Sequence, residues 1–313
     1  MTGKTVRIGT RGSKLALWQA NWVKDRIAEH HPEINIELEV IKTSGDKITD
    51  VPLAKVGGKG LFVKEIEEAL LDGRVHLAVH SMKDMPGEMP EGLHIGAIPV
   101  RETPYDVLIA KEATTLAELP RGAAVGTSSL RRACQVLHFR PDFDVRPLRG
   151  NIDTRIKKLA TEGLDAVILA AAGVKRLGYD HEISGHLDPE VVLPAVGQGA
   201  LCIQARKNDH ETAGLLAEIH HPETACTVLA ERAFLKRLEG GCQVPIAAFA
   251  VLSDGNLALD GMVAETDGSV MLREQMTGSA ENPQSLGTAL ADRLIARGAG
   301  DIVQRLIEEA RQS

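Results

Sequence analysis

The chain has 313 residues, with 36 Lys and Arg against 43 Asp and Glu, for a formal charge of −7. That length suits two or three domains of ordinary size, and the acidic balance speaks against non-specific nucleic-acid binding unless basic residues are locally concentrated. Four cysteines (Cys134, Cys202, Cys226 and Cys242), with no C-x-x-C pair and no histidine at finger spacing, argue against structural zinc and a disulfide framework and point to a reducing compartment. The opening Met1-Thr2-Gly3-Lys4 carries no apolar signal core. No later stretch approaches the roughly 20 apolar residues of a spanning helix. A cytoplasmic protein without membrane contact is the expectation.

Val6 to Thr10 reads as a strand, followed by Arg11-Gly12-Ser13 and a helical pattern with Leu15, Trp18, Trp22, Val23 and Ile27, for which Ser13 is the expected N-cap. Ile34, Ile36, Leu38 and Val40 alternate as a second strand. Strand, helix and strand seed a parallel sheet, and the helix start then lies at the carboxyl edge where open α/β sheets bind ligands. Residues 44 to 60 form a polar, basic loop with Lys55 and Lys59. The loop lacks the G-x-x-x-x-G-K-[ST] spacing of a nucleotide site.

Val75 to Ser81 is the next strand, ending in Met82-Lys83-Asp84. A carboxylate at the end of a buried strand is placed to handle a proton or balance a transient cation, the competing reading being a surface ion pair in a turn. His76 and His80 share a strand face without a third ligand, which favours structural histidines over a metal site.

After a strand over Ile95 to Val100, Arg101 to Pro104 reads as a crossing between domains. Strands at Val107 to Ala110 and Ala123 to Gly126 follow. Thr127-Ser128-Ser129-Leu130-Arg131-Arg132 then repeats the hydroxyl-rich turn and helix of the first unit, an anion cradle by its exposed N–H groups, hydroxyls and arginines. From Thr127 to Arg155 six arginines (Arg131, Arg132, Arg140, Arg146, Arg149, Arg155) face three acids. Arg149 and Arg155 flank another helix start and are expected at the same edge, while Arg140 and Arg146 read as solvated. Leu164 to Ala172 is a continuous apolar strand, followed by Arg176. Gly197-Gln198-Gly199 reads as a second crossing, and Ala200 to Ala205 as a strand returning to the first domain.

An amphipathic helix over Thr224 to Leu238 leads to Gly240-Gly241-Cys242, a thiol on a glycine-flanked connection. A thiol there is either a small buried apolar group or a reactive one. Three strands separated by Asp254-Gly255 and Asp267-Gly268 turns, then two helices, read as an α+β domain.

Arg11-Gly12-Ser13, His80 to Asp84, Gly126 to Arg132, Arg149-Gly150-Asn151 and Gly240-Gly241-Cys242, taken in order, resemble the porphobilinogen deaminase family over nearly the whole chain. The resemblance implies an α/β fold of two type 2 periplasmic-binding-protein-like lobes with a double crossover, plus a smaller α+β domain with a three-stranded antiparallel sheet. The expected boundaries are 1–99 with 200–217, 105–193, and 222–313, with a cleft between the lobes. It also implies a dipyrromethane cofactor held by a thioether at Cys242. The implied enzyme is a monomeric transferase with porphobilinogen as its small-molecule substrate and no nucleic-acid partner. It joins four porphobilinogens head to tail with loss of ammonia and hydrolyses the product off as hydroxymethylbilane.

By the same resemblance Asp84 is catalytic, and Ser81, Lys83, Thr127, Ser129, Arg131, Arg132 and Arg155 bind the cofactor. Arg11, Ser13, Arg149, Arg155, Arg176 and Gln198 bind substrate, Lys55 and Lys59 belong to a flexible loop, and no metal is required. Two other readings compete: a non-catalytic binder of small anions, which leaves Asp84 and Cys242 unexplained, and an acyl transferase with Cys242 as recurrent nucleophile, which lacks a well-spaced histidine base.

Overall fold

The structure, a computed structural model, describes residues 5–47, 60, 62–238 and 244–312. Contacts divide the chain into two units, one over Met1–Asp50, Gly58–Glu102 and Ala200–Ala225, the other over Val51–Gly57, Thr103–Gly199 and Cys226–Ser313.

In the first unit, β1 (Thr5–Thr10), α1 (Lys14–His30), β2 (Asn35–Val40), the single turn α2 (Ser44–Lys47), α3 (Lys64–Leu71), β3 (Leu77–Ser81) and β4 (Leu93–Ala97) precede the crossing, and β10 (Leu201–Arg206) and α7 (His210–Ala217) follow the return. The sheet order is β2-β1-β3-β10-β4. β1 is parallel to β2 and β3, and β10 is antiparallel to β3 and β4. Ala20, Val23 and Ile27 of α1 pack with Val6, Ile8 and Leu77 on one face, while Ile66, Ala69 and Leu70 of α3 pack with Val75, Ala78 and Leu93 on the other. A sheet covered on both faces needs the near-continuous apolar strands seen in the sequence.

The second unit repeats this order. β5 (Asp106–Ala110), β6 (Ala124–Gly126), α4 (Leu130–Phe139), β7 (Asp144–Arg146), α5 (Ile152–Thr161), β8 (Ala166–Ala170), α6 (Ala171–Arg176) and β9 (Gly185–His186) build a sheet ordered β7-β6-β8-β5-β9. β6 is parallel to β7 and β8, and β5 is antiparallel to β8. Each sheet thus receives its antiparallel strand directly after a crossing, the arrangement of two type 2 periplasmic-binding-protein-like lobes.

The strand expected over Leu164 to Ala172 is shorter than its apolar run. Its partner β5 begins at Asp106, opposite Ala170, so the ladder stops there. Ala171, whose N–H donates to Tyr105 O at 3.0 Å, opens α6 instead.

The C-terminal part comprises α8 (Pro222–Arg237), the antiparallel sheet β11 (Ile246–Ser253), β12 (Asn256–Ala264) and β13 (Met271–Ser279), and then α9 (Pro283–Ala296) and α10 (Ala299–Gln312). β11 and β12 join through Asp254 (φ 49°) and Gly255 (φ 75°), both left-handed as a two-residue hairpin turn of this twist requires. The core gathers Phe234, Leu257, Leu259, Leu290 and Leu294. The β12–β13 loop lies against α4: a Cβ on Gly268 would sit 2.3 Å from Cys134 O, and the His138 ring Nδ1–H donates to Gly268 O at 2.9 Å. Among the described residues no helix is long and apolar enough to cross a membrane.

Candidate active site

In the first unit the ends of the adjacent parallel strands β1 and β3 define one sheet edge. β1 delivers Arg11 and Ser13. Ser13 caps α1, its hydroxyl accepting from Ala16 N at 3.3 Å. β3 ends in Ser81 and continues as a short 3-10 turn, Met82–Asp84. Met82, 1% exposed, anchors that turn, and its N–H donates to Ala200 O at 3.0 Å where antiparallel β10 begins. Lys83 and Asp84 are left exposed. Gln19, buried on α1, donates from Nε2 to Ser81 Oγ at 2.9 Å and so ties the helix to the strand end. Arg11 donates to Asp46 Oδ1 from Nε (3.1 Å) and Nη2 (2.5 Å) and lies 4.1 Å over the Phe62 ring. Burial pushes the Asp46 carboxyl up, but the bonds from Arg11 and Thr43 outweigh it and hold the group below its ordinary value.

Behind this edge lies a buried polar cluster. Gln204 Nε2 donates to Glu67 Oε1 at 2.8 Å, and burial raises the Glu67 carboxyl above its ordinary value. His80, 6% exposed, has no aligned partner for Nε2, and burial, aided by the nearby Arg11 charge and opposed by Gln204, pushes it down to about 4. It is neutral at neutral pH. His76 accepts at Nδ1 from Arg7 N–H at 3.0 Å. Among the described residues no group of three His, Cys, Asp or Glu could hold a metal ion.

In the second unit two adjacent strands, β6 and β7, lead into helices that both start at the carboxyl edge. α4 follows Ser129 and α5 follows Asn151, and neither N-cap side chain bonds its helix, the condition under which a helix start can receive an anion, although Thr154 N in the first turn of α5 already donates to Asp153 Oδ1 at 3.0 Å. Thr127 Oγ1 accepts from Ser129 N at 3.2 Å, shaping the turn. Arg155 sits in the opening turns of α5 with Nε donating to Gly150 O at 2.8 Å, and Arg149 is half-buried just before that helix. Arg176, at the end of α6, donates from Nη2 to Gly199 O at 2.8 Å.

Arg131 and Arg132, only 6% and 5% exposed, converge on Asp106, which is 0% exposed. Arg132 donates to Asp106 Oδ1 from Nε (3.1 Å) and Nη2 (2.7 Å), and to Ile168 O from Nη1 (3.0 Å). Arg131 Nη1 donates to Leu193 O at 2.7 Å and lies 2.8 Å from Asp106 Oδ2. Gln198 Nε2 donates to Pro104 O at 2.6 Å and to Asp106 Oδ1 at 2.9 Å. Asp106 escaped the sequence reading. The available signal was an acid heading an apolar strand, and its two partners lie 25 and 26 residues on. Arg140 and Arg146 pair instead with Asp142 and Asp144, each at 2.7 Å, and belong to local surface pairs.

The expected site residues thus fall at two sheet edges, one in each unit. Cys242, Lys55 and Lys59 lie outside the described residues.

Two family descriptions match the chain: "Porphobilinogen deaminase, dipyromethane cofactor binding domain" over residues 6–214 and "Porphobilinogen deaminase, C-terminal domain" over residues 225–296. The chain is 51% identical over 306 residues to a porphobilinogen deaminase of Syntrophotalea carbinolica, covering 98% of this chain and 97% of that one. It is 53% identical over 307 residues to one of Brevibacillus brevis, covering 98% and 99%. A solved YaeC-family lipoprotein of Enterococcus faecalis is similar at 14% identity and TM-score 0.44, over 71% of this chain and 93% of that one.

Proposed function

The chain belongs to the porphobilinogen deaminase family, and on that premise we propose which of its residues carry the reaction. The activity is that of a hydroxymethylbilane synthase, a transferase that joins four porphobilinogen molecules head to tail with release of ammonia and then frees the linear tetrapyrrole by hydrolysis. It works on a dipyrromethane cofactor, whose free pyrrole α-carbon would bond to the aminomethyl carbon of the first substrate ring as ammonia leaves and the α-proton is lost, later rings joining the end of the growing chain.

The residues fit that group. Two pyrrole rings with acetate and propionate arms bring four carboxylates, which call for forked cationic donors and aligned N–H groups rather than point charges. The uncapped starts of α4 and α5, beside Arg131, Arg149 and Arg155, provide such donors. In our reading Cys242 is the anchor, through a thioether formed once. Ser81, Lys83, Thr127, Ser129, Arg131, Arg132 and Arg155 hold the cofactor carboxylates, and Arg11, Ser13, Arg149, Arg155, Arg176 and Gln198 those of substrate.

Asp84 is the acid–base residue. Its exposed carboxylate, on a turn anchored by buried Met82 and next to Lys83, balances positive charge developing on the substrate pyrrole nitrogen and takes up or returns protons as ammonia departs. The domains are 1–99 with 200–217, 105–193, and 222–313. The protein works as a cytoplasmic monomer without a nucleic-acid partner.

One observation carries this reading: the two family matches, in order, span both the sheet edges and the C-terminal part. Asp84→Asn tests the mechanism. The variant should keep its Tm within a few degrees and lose turnover by about 10²-fold or more, the range for a lost acid–base group. Near-normal turnover would remove Asp84 from the chemistry.

A further inference from the structure

The cluster around Asp106 is out of electrical balance. Two guanidiniums meet one carboxylate and one neutral amide, all nearly excluded from solvent. Burial pushes the Asp106 carboxyl up, but Arg131 and Arg132 overcome it and hold the group well below the usual carboxylate range, so it is ionised at neutral pH. Arginine remains protonated in proteins. One positive charge is therefore left over in a low-dielectric place, where it is costly unless an anion joins it.

The two arginines are not equivalent. Arg132 commits Nε, Nη1 and Nη2 to Asp106 and the Ile168 carbonyl. Arg131 commits Nη1 alone, which leaves its Nε and Nη2 without a partner among the described residues. Asp106 reaches this point because β5 is antiparallel: its first residue lies beside Ala170, at the carboxyl end of β8.

We propose that Asp106 is the positioning residue of the cofactor site: it fixes the planes of both guanidiniums so that Arg131 presents its open donors, with the surplus charge, to a single cofactor carboxylate. Of the residues grouped above with cofactor and substrate, two serve the site through Asp106 rather than by touching a ligand: Arg132, whose Nε, Nη1 and Nη2 are committed, and Gln198, which is bonded to the same oxygen and to Pro104 O and holds the carboxylate's rotation. This rests on the function proposed above.

The test reads the fraction of purified full-length chain that carries two pyrrole units by intact mass, alongside Tm. It compares wild type, Asp106→Asn, Asp106→Glu and, as a control for lost packing on the same strand, Leu108→Ala. Leu108 is 0% exposed and belongs to an apolar cluster with Val125, Val136 and Ile168. Loading is expected to fall at least tenfold in Asp106→Asn and less in Asp106→Glu, which retains the charge. Leu108→Ala should load like wild type despite a lower Tm. Wild-type loading in Asp106→Asn would overturn the proposal, as would a loss in Leu108→Ala equal to that in Asp106→Asn. Should Asp106→Asn not fold, Asp106→Glu is compared with Leu108→Ala at matched Tm: lower loading in the former supports the role and equal loading overturns it. A wild-type chain without the adduct would overturn the proposed function itself, and the positioning role with it.

Discussion

Asp84 and Asp106 divide the work expected of a carboxylate by where each is placed. Asp84 stands exposed on a short turn, free to meet a substrate atom, whereas Asp106 is fully buried and spends both oxygens on the arginines and Gln198. His80 is a third kind of group, a neutral imidazole buried on β3, the strand that runs into the turn carrying Asp84. Its protonation is pushed down to about 4 in the folded chain, against about 6.5 when unfolded. The unfolded chain therefore takes up the proton first. Above pH 6.5 the contribution of His80 to stability is complete, and it is lost as pH falls toward 4, to the extent of about 3 kcal/mol. Urea unfolding from pH 7 to pH 4 should show this decline in wild type and a shallower one in His80→Gln. Parallel curves would mean that the imidazole is already solvated.

At the scale of elements, the parts that follow one face or one turn were legible. Ser13 caps α1, Asp254-Gly255 closes a hairpin, and the hydroxyl-rich turn before Arg131 opens a helix at a sheet edge. What could not be read was any feature set by a distant partner. The end of β8 depends on where β5 starts, 64 residues earlier by register of Ala170 with Asp106, hence the overlong strand. The burial of Arg131 and Arg132 depends on the same residue. The sequence places both arginines in an anion cradle because six arginines stand near three acids, and the fourth acid, Asp106, lies outside that window.

Helix packing in the C-terminal part shows the same dependence. Gly287 of α9 meets α8 so closely that a Cβ would stand 2.1 Å from Ala230 O and 2.8 Å from Phe234 N. Neither backbone atom can yield without moving the helix. Gly287→Ala should therefore destabilise the protein by about 1–3 kcal/mol, read as a lower urea midpoint. An unchanged midpoint would show that α8 and α9 have room between them.

For the whole molecule, the two crossings explain how one chain builds two sheets of identical order. Each crossing hands over a strand that runs against its neighbours, and the head of that strand arrives at the edge where the parallel strands end. Ala200 and Asp106 both come to their places in this way. The thiols narrow the chemistry further. Cys134 and Cys202 are 0% exposed, burial pushes the Cys134 thiol up to about 12, and burial also raises Cys226, whose Sγ–H donates to Ala280 O at 3.2 Å. None of these three is suited to be a thiolate nucleophile at neutral pH. The anchor assigned to Cys242 is thus the claim on which the account turns, and the intact mass of untreated, active protein tests it directly. The account predicts a mass two pyrrole units above that of the sequence, and the bare sequence mass in Cys242→Ser. Full turnover by wild-type protein at its bare sequence mass would contradict it.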